Sequence, residues 1–233
     1  MDGIRVVACD VFGTTVDWYA GVAEQVRELL GDTDAGAFAS QWRERYLPSM
    51  ANVREGRRDW AYLDTLHRES LDELLDRHGL DPDEDTRRRL VRAWHRLPAW
   101  PDSVEGLTRL RERHILAALS NGGFALLTNL VKAARLPFDC ILSAELARTY
   151  KPAPEVYLTA ARLLDVAPDE VLMVAAHGWD LDGAREAGLR TAFLERPGEK
   201  GPHQAADRGM AADVSVASFT ELADLLSPAG AGR

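Results

Sequence analysis

The sequence predicts an α/β fold: a parallel sheet with a helical module inserted after its first strand. Three observations predict it. The first is the run Val6-Val7-Ala8-Cys9, closed by Asp10 and the turn signal Gly13-Thr14-Thr15; a short apolar run without polar alternation suits a strand buried on both faces. The second is the block 17–98, where apolar residues recur only at helical spacing. The third is the alternation, from Asp102 onward, of helical stretches with short apolar runs, the pattern of βαβ units.

The elements follow in order. After the first strand, Trp18, Val22, Val26 and Leu29 or Leu30 mark a helix with Asp17 as its N-cap. Phe38 and Trp42 mark a second. Trp60, Leu63, Leu66, Leu71 and Leu74 behind Asp59 give a third, and Leu90, Val91 and Trp94 behind Asp81-Pro82 a fourth, with proline expected at the first helical position. Leu97-Pro98-Ala99-Trp100-Pro101 is a proline-marked linker. Strands are then expected at Ile115–Leu119, Cys140–Leu142, Val171–Ala175, Thr191–Leu194 and Val214–Val216. Right-handed crossovers would put all their carboxyl ends on one edge. The stretch Pro197–His203 reads as a mobile loop, and the tail from Pro228 as frayed.

Bulk composition narrows the function. With 233 residues the chain can bury a substantial core. Its 28 Lys and Arg against 37 Asp and Glu leave a formal charge of −9, which argues against nucleic-acid or anionic-membrane partners. Two cysteines, Cys9 and Cys140, sit in apolar runs and make no disulfide framework, so a reducing, cytoplasmic setting is expected. No stretch approaches the ~18 uninterrupted apolar residues of a membrane span.

In such sheets ligands bind beyond the carboxyl ends of the strands, and polar groups stand there. Asp10 and Thr14 follow the first strand. Ser120-Asn121-Gly122-Gly123 follows the second, where a hydroxyl and an amide can orient an anion. Tyr150-Lys151-Pro152 places a lysine before proline-fixed geometry, with Tyr157 further on, and Ala175-Ala176-His177-Gly178-Trp179-Asp180 closes the run Val171–Ala175. Taken singly, each has a plain explanation. Ser120-Asn121-Gly122 is a turn, Lys151 a solvated charge, Asp180 or Asp182 a helix cap, His177 a hydrogen-bonded loop residue, and Trp42, Trp60 and Trp94 are helix packing. A carboxylate, a hydroxyl-amide pair, a lysine and a second carboxylate on successive strand ends together point to an active site.

Asp10-Val11-Phe12-Gly13-Thr14, Ser120-Asn121-Gly122, Tyr150-Lys151-Pro152 and Trp179-Asp180 before Gly183-Ala184 stand in the order and spacing of the haloacid dehalogenase superfamily. Across nearly its whole length the chain resembles that superfamily's type II, L-2-haloacid dehalogenase branch. The resemblance implies a Rossmann-like parallel-sheet core with an inserted four-helix cap: core 1–16, cap 17–98, core 99–226 and a flexible tail 227–233. The superfamily's Mg²⁺-dependent phosphatases carry a second Asp two residues after the nucleophile, where this chain has Phe12. Aligning Asp180 with their last metal carboxylate puts Ala176 at the first. Mg²⁺ wants hard oxygen ligands, so no metal and no other cofactor is expected.

By resemblance, Asp10 is the nucleophile, displacing halide from a small 2-haloacid to form an ester that water then hydrolyses. Lys151 orients Asp10 and, with Asp180, activates that water. Thr14 and Ser120 support the nucleophile and the substrate carboxylate. Arg43, with Asn121, receives the halide, and Tyr157, Phe12 and Trp179 line the pocket. Ala175-Ala176-His177 replaces the Ser-Ser-Asn of well-characterised relatives. His177 is therefore expected either to position the water, paired with Asp180 one helical turn away, or to mark a different substrate; a bulkier-walled pocket would favour fluoroacetate or chloroacetate. The resemblance also implies a homodimer, which the apolar cap helices do not by themselves require. Two other functions fit the same residues: hydrolysis of another small carboxylate or phosphoester, and non-catalytic ligand binding.

Overall fold

The computed structural model describes residues 1, 3–202, 204–205 and 207–227. Beyond Ser227, the tail expected to fray lies outside the described residues. Six strands form one parallel sheet: β1 (Val6–Cys9), β2 (Ile115–Ser120), β3 (Cys140–Ser143), β4 (Val171–Ala175), β5 (Arg190–Leu194) and β6 (Val214–Val216). Their order is β3-β2-β1-β4-β5-β6. β1 sits at the centre because its four residues are fully buried and bare of polar side chains. The chain runs outward on one side through β2 and β3 and on the other through β4, β5 and β6. β1 and β4 therefore flank the switch point, where an open α/β sheet leaves a crevice. The five expected later strands all form, three of them one residue longer than expected.

Between β1 and β2 come α1 (Trp18–Leu30), α2 (Ala35–Glu44), α3 (Tyr46–Arg54), α4 (Leu63–His78), α5 (Glu84–Ala93) and α6 (Ser103–Arg111). The four helices expected in 17–98 are present, and α3 is additional. It follows α2 directly through Arg45, with Tyr46, Met50 and Val53 as its buried face, too short a run for its spacing to stand out. Asp17 caps α1 by accepting from the Ala20 amide at 2.9 Å. Two starts differ from expectation. α4 begins at Leu63, leaving Trp60 before it, and α5 is capped by Asp83, whose side chain accepts from the Thr86 amide; Pro82 precedes the cap.

The insertion leaves and rejoins the sheet side by side. Val16 bridges Ala99 antiparallel, and the Asp17 amide donates to the Pro98 carbonyl at 2.8 Å. The remaining helices are α7 (Phe124–Ala133), α8 (Pro154–Leu163), α9 (Gly178–Glu186) and α10 (Phe219–Leu226). Cys9 is buried, Cys140 half-buried, and both are free thiols. Among the described residues, no helix is long and apolar enough to cross a membrane.

Candidate active site

Asp10 begins where β1 ends. Its amide still donates to the Val174 carbonyl of β4 at 2.9 Å, so the residue inherits the strand's position. The turn that follows is tied back to it. Thr15 Oγ1 donates to the Asp10 carbonyl at 2.7 Å, and Thr14 Oγ1 donates to Asp10 Oδ2 at 2.9 Å while accepting from the Ala176 amide at 2.9 Å. Thr14 thus links the ends of β1 and β4. Gly13 adopts φ +89°, and a Cβ there would come 2.4 Å from Glu199 Oε1. A side chain is excluded twice over, by the left-handed backbone and by that carboxylate.

Lys151, fully buried, donates from Nζ to Asp10 Oδ1 (2.9 Å), the Leu119 carbonyl (2.9 Å) and Asp180 Oδ2 (2.6 Å). All three of its donors are used. Asp180 Oδ1 accepts from Tyr157 at 2.6 Å. Gly183 lets α9 close onto the lysine loop, since a Cβ there would come 2.5 Å from Pro152 Cβ. The two carboxylates sharing Lys151 are pushed apart. Burial would raise Asp10, but the Lys151 ammonium and His177 outweigh it and hold the carboxyl well below its ordinary value. For Asp180 burial wins, raising it against the pull of Lys151. The Lys151 ammonium, which burial alone would lower, is held above its ordinary value by Asp10 and Asp180. Such a pair suits an ionised nucleophile beside a carboxylate that can take up a proton.

His177 differs from expectation. It is the N-cap residue of α9, with its carbonyl accepting from the Asp180 amide, and its ring nitrogens approach two other carboxylates. Nδ1 lies 3.3 Å from Asp10 Oδ2, and Nε2 is bonded to Glu199 Oε1 at 3.1 Å. Glu199 also accepts from Trp18 Nε1 at 2.6 Å and is 3% exposed. The stretch read as a mobile loop therefore supplies a buried anchor; its last residue, His203, lies outside the described residues. Burial alone would lower His177, but Asp10 and Glu199 raise it to about 9. Burial would raise Glu199, but the bond and charge of His177, with Arg43 nearby, lower it to about 2. The shifts favour an imidazolium at neutral pH, hydrogen-bonded through Nε2 to Glu199, with Nδ1 at ion-pair distance from Asp10 but without a hydrogen bond.

The opposite wall comes from the helical insertion. Arg43 of α2 lies over the Tyr46 ring at 4.0 Å and near Trp18 at 5.3 Å, and its buried Nη1 has no partner among the described residues. Phe12 packs edge-on to Tyr46 and Trp94 at 6.3 and 5.9 Å. A cleft of about 300 Å³, lined in part by Arg43, Tyr46, His177, Trp179 and Glu199, opens beside them. Trp179, half-buried, stacks on His177 at 5.7 Å. Asn121 Oδ1 accepts from the Lys151 amide at 2.7 Å, while its buried Nδ2 is free of any described partner. Ser120 Oγ accepts from the Gly122 amide at 3.2 Å and so shapes its own turn. Tyr157 is not a wall residue: it is fully buried behind Asp180, because it lies on the inward face of α8.

Sequence reasoning missed Glu199, Trp18, Tyr46 and a brace behind the nucleophile turn. There Arg196 donates from Nε to the Thr14 carbonyl at 2.9 Å and grips Asp102 with both terminal nitrogens, at 2.7 and 3.2 Å. Trp100 Nε1 donates to the Gly13 carbonyl at 3.0 Å, and Ser103 Oγ to the Thr15 carbonyl at 2.7 Å. Helical spacing marks Trp18 only as packing, and no local pattern marks Glu199 or the brace; the glycine at position 13 is their nearest sequence trace.

A family model described as haloacid dehalogenase-like hydrolase matches residues 4–188. An (S)-2-haloacid dehalogenase of Pseudomonas sp. (strain CBS-3) is 34% identical over 200 residues, covering 84% of this chain and 86% of that one. The crystal structure of a defluorinating L-2-haloacid dehalogenase superposes with a TM-score of 0.92 at 44% identity, over 96% of this chain and 95% of that one. An L-2-haloacid dehalogenase from Xanthobacter autotrophicus with chloropropionic acid covalently bound superposes with a TM-score of 0.84 at 28% identity, over 95% and 98%.

Proposed function

Because the chain belongs to the haloacid dehalogenase-like hydrolases, we propose that it releases halide hydrolytically from small 2-haloacids through an ester on Asp10, with residues 17–98 acting as the cap over a core of 1–16 and 99–226. The observation that carries this reading is Asp10 itself. It is a carboxylate kept ionised by Lys151 at 2.9 Å at the switch point of the sheet, and the cleft beside it is lined by Arg43, whose buried Nη1 has no partner among the described residues. A carboxylate so held is a nucleophile in waiting, and Arg43 with Asn121 Nδ2 offers donors where a leaving halide gathers charge.

In the first step an Asp10 oxygen bonds to the Cα of the acid while the carbon–halogen bond breaks, its electron pair leaving with the halide. In the second, water adds to the ester carbonyl, the hydroxy acid departs and the carboxylate is restored. Water gives one proton to Asp180 or His177, the departing alkoxide oxygen takes one up from that base, and the excess proton leaves as the Asp10 carboxyl ionises. His177 changes role between the steps. Its raised pKa depends on Asp10 and Glu199 together; once the Asp10 charge is consumed in the ester, the ring is held less tightly, gives its proton up to solvent and can then act as a base toward the incoming water. Lys151, His177 and Arg43 supply the positive charge the steps call for. A cytoplasmic homodimer belongs to the same reading, and sedimentation that returns a single-chain mass removes the dimer.

Halide release from fluoroacetate, chloroacetate and both enantiomers of 2-chloropropionate, with chelator present, tests the proposal against Asp10→Asn. The expected result is chelator-resistant release that the substitution abolishes. No release from any of the four acids, or release that the chelator stops, overturns it.

A further inference from the structure

Buried polar groups in folded proteins are nearly always hydrogen-bonded, to protein or to ordered water. The helical insertion holds a contiguous set with no partner among the described residues: Arg43 Nη1, Trp94 Nε1, both ring nitrogens of His67, and Asp64 Oδ1. The side chains that carry Arg43 Nη1, the His67 nitrogens and Trp94 Nε1 pack in series. Arg43 lies over Tyr46 at 4.0 Å, Tyr46 stacks on His67 at 6.2 Å, and His67 stacks on Trp94 at 4.4 Å. Asp64 precedes His67 by three residues on α4, which puts both on one face. Its other oxygen, Oδ2, is bonded to His95 Nε2 at 3.0 Å. Asp64 and His95 then line a second surface cleft of about 230 Å³, with Arg68, Arg88 and Arg92 around it. That cleft shares no lining residue with the catalytic one.

The set combines donors and acceptors. Burial lowers His67 to about 3, so its ring is neutral, with one nitrogen donating and the other accepting. Trp94 Nε1 and Arg43 Nη1 donate, while Asp64 Oδ1 accepts. A halide only accepts, so it would match the three donors and leave one His67 nitrogen and Asp64 Oδ1 unmatched; water does both. Leaving all of them unsatisfied would cost free energy comparable to the entire folding stability of a domain.

We propose that a file of ordered water runs from Arg43 through the interior of the insertion, past Trp94 and His67, to the cleft at Asp64 and His95, and supplies water to the ester on Asp10. The supply role rests on the dehalogenase reading above; the file itself does not. Each turnover consumes one water in the second step, when the organic group of the ester occupies the space between Asp10 and the insertion. A route ending in a separate cleft keeps that step supplied while the front cleft serves the acid and the halide.

Two measurements test it. A crystal structure of the unliganded native chain at a resolution that orders water should show water bonded to both His67 nitrogens and continuing to Asp64 Oδ1. His67→Phe keeps the stack on Trp94 and Tyr46 but offers water nothing. Rapid-quench kinetics with chloroacetate should then show the initial halide burst unchanged and ester hydrolysis at least threefold slower, with the alkylated chain accumulating by intact mass. Dry His67 nitrogens in the crystal, or ester hydrolysis at the native rate in His67→Phe, overturns the proposal. Failure of the native chain to release any halide would strike the dehalogenase reading instead, and leave the file decided by the crystal.

Discussion

Around Asp10 the site carries three anions, Asp10, Asp180 and Glu199, against the cations Lys151, His177 and Arg43, so a chain of net charge −9 presents a locally balanced pocket to an anionic acid. The His177–Glu199 pair makes stability depend on pH at both ends. His177 is raised from 6.5 to about 9, so its contribution is complete below about 6.5 and is lost as pH rises through 9. Glu199 is lowered from 4.5 to about 2, so its contribution is complete above about 4.5 and is lost as pH falls through 2. Replacing Glu199 with Gln should bring His177 down by at least ~1 pKa unit, readable by NMR titration of the imidazole. A His177 still titrating near 9 would show that Asp10 alone holds the proton. His177→Ala should leave alkylation intact and slow ester hydrolysis by ~10²-fold or more, the usual worth of a positioned base. Unchanged single-turnover hydrolysis would remove His177 from the mechanism.

Among the elements, the insertion is held by an aromatic centre. Trp94, 1% exposed, touches Phe12, Trp18, Trp42 and His67. Arg68 grips Glu84, and Arg87 pairs with Asp72 and Asp81, tying α4 to the start of α5. Each of these ion pairs has a carboxylate at least partly in solvent and contributes little; the indole dominates. Trp94→Ala should therefore cost roughly 3–5 kcal/mol, seen as a lower Tm by calorimetry. A loss below ~1 kcal/mol would mean that the surrounding rings collapse into the space. Asp17→Ala removes one cap and should cost only about 1 kcal/mol.

The whole molecule is joined at a few long-range points. Tyr150 donates to the Ala61 carbonyl at 2.6 Å, Trp18 to Glu199, and the Arg196–Asp102 pair braces the nucleophile turn where the insertion returns. Asp102 also accepts from the Phe219 amide at 2.7 Å, so one carboxylate serves the turn, the Glu199 segment and α10. Asp102→Ala leaves the Arg196 guanidinium buried and unpaired, and should cost roughly 3 kcal/mol. Because Arg196 and Glu199 share a segment, halide turnover should fall as well. Denaturant unfolding and steady-state turnover on one preparation check both, and a destabilised variant with native turnover would confine the brace to stability.

Features encoded locally are legible in the chain without coordinates. Buried parallel strands need continuous apolar runs and helices need apolar residues at 3.6 spacing, so β1, β4, α1 and α4 could be read from their own residues. Because every parallel strand ends on the same edge, Asp10, Lys151 and Asp180 could be gathered into one neighbourhood before any coordinates. Which groups meet across long chain separations is fixed by the folded arrangement alone. Glu199 meets Trp18 181 residues away, Arg196 meets Thr14 182 away, and His177 turns to Asp10 and not to Asp180. Such contacts arise from loop closure and helix-end geometry, which leave no periodicity in the chain. A glutamate in a Gly-Pro-rich stretch looks solvated until the nucleophile turn, held open by Gly13, makes room for it.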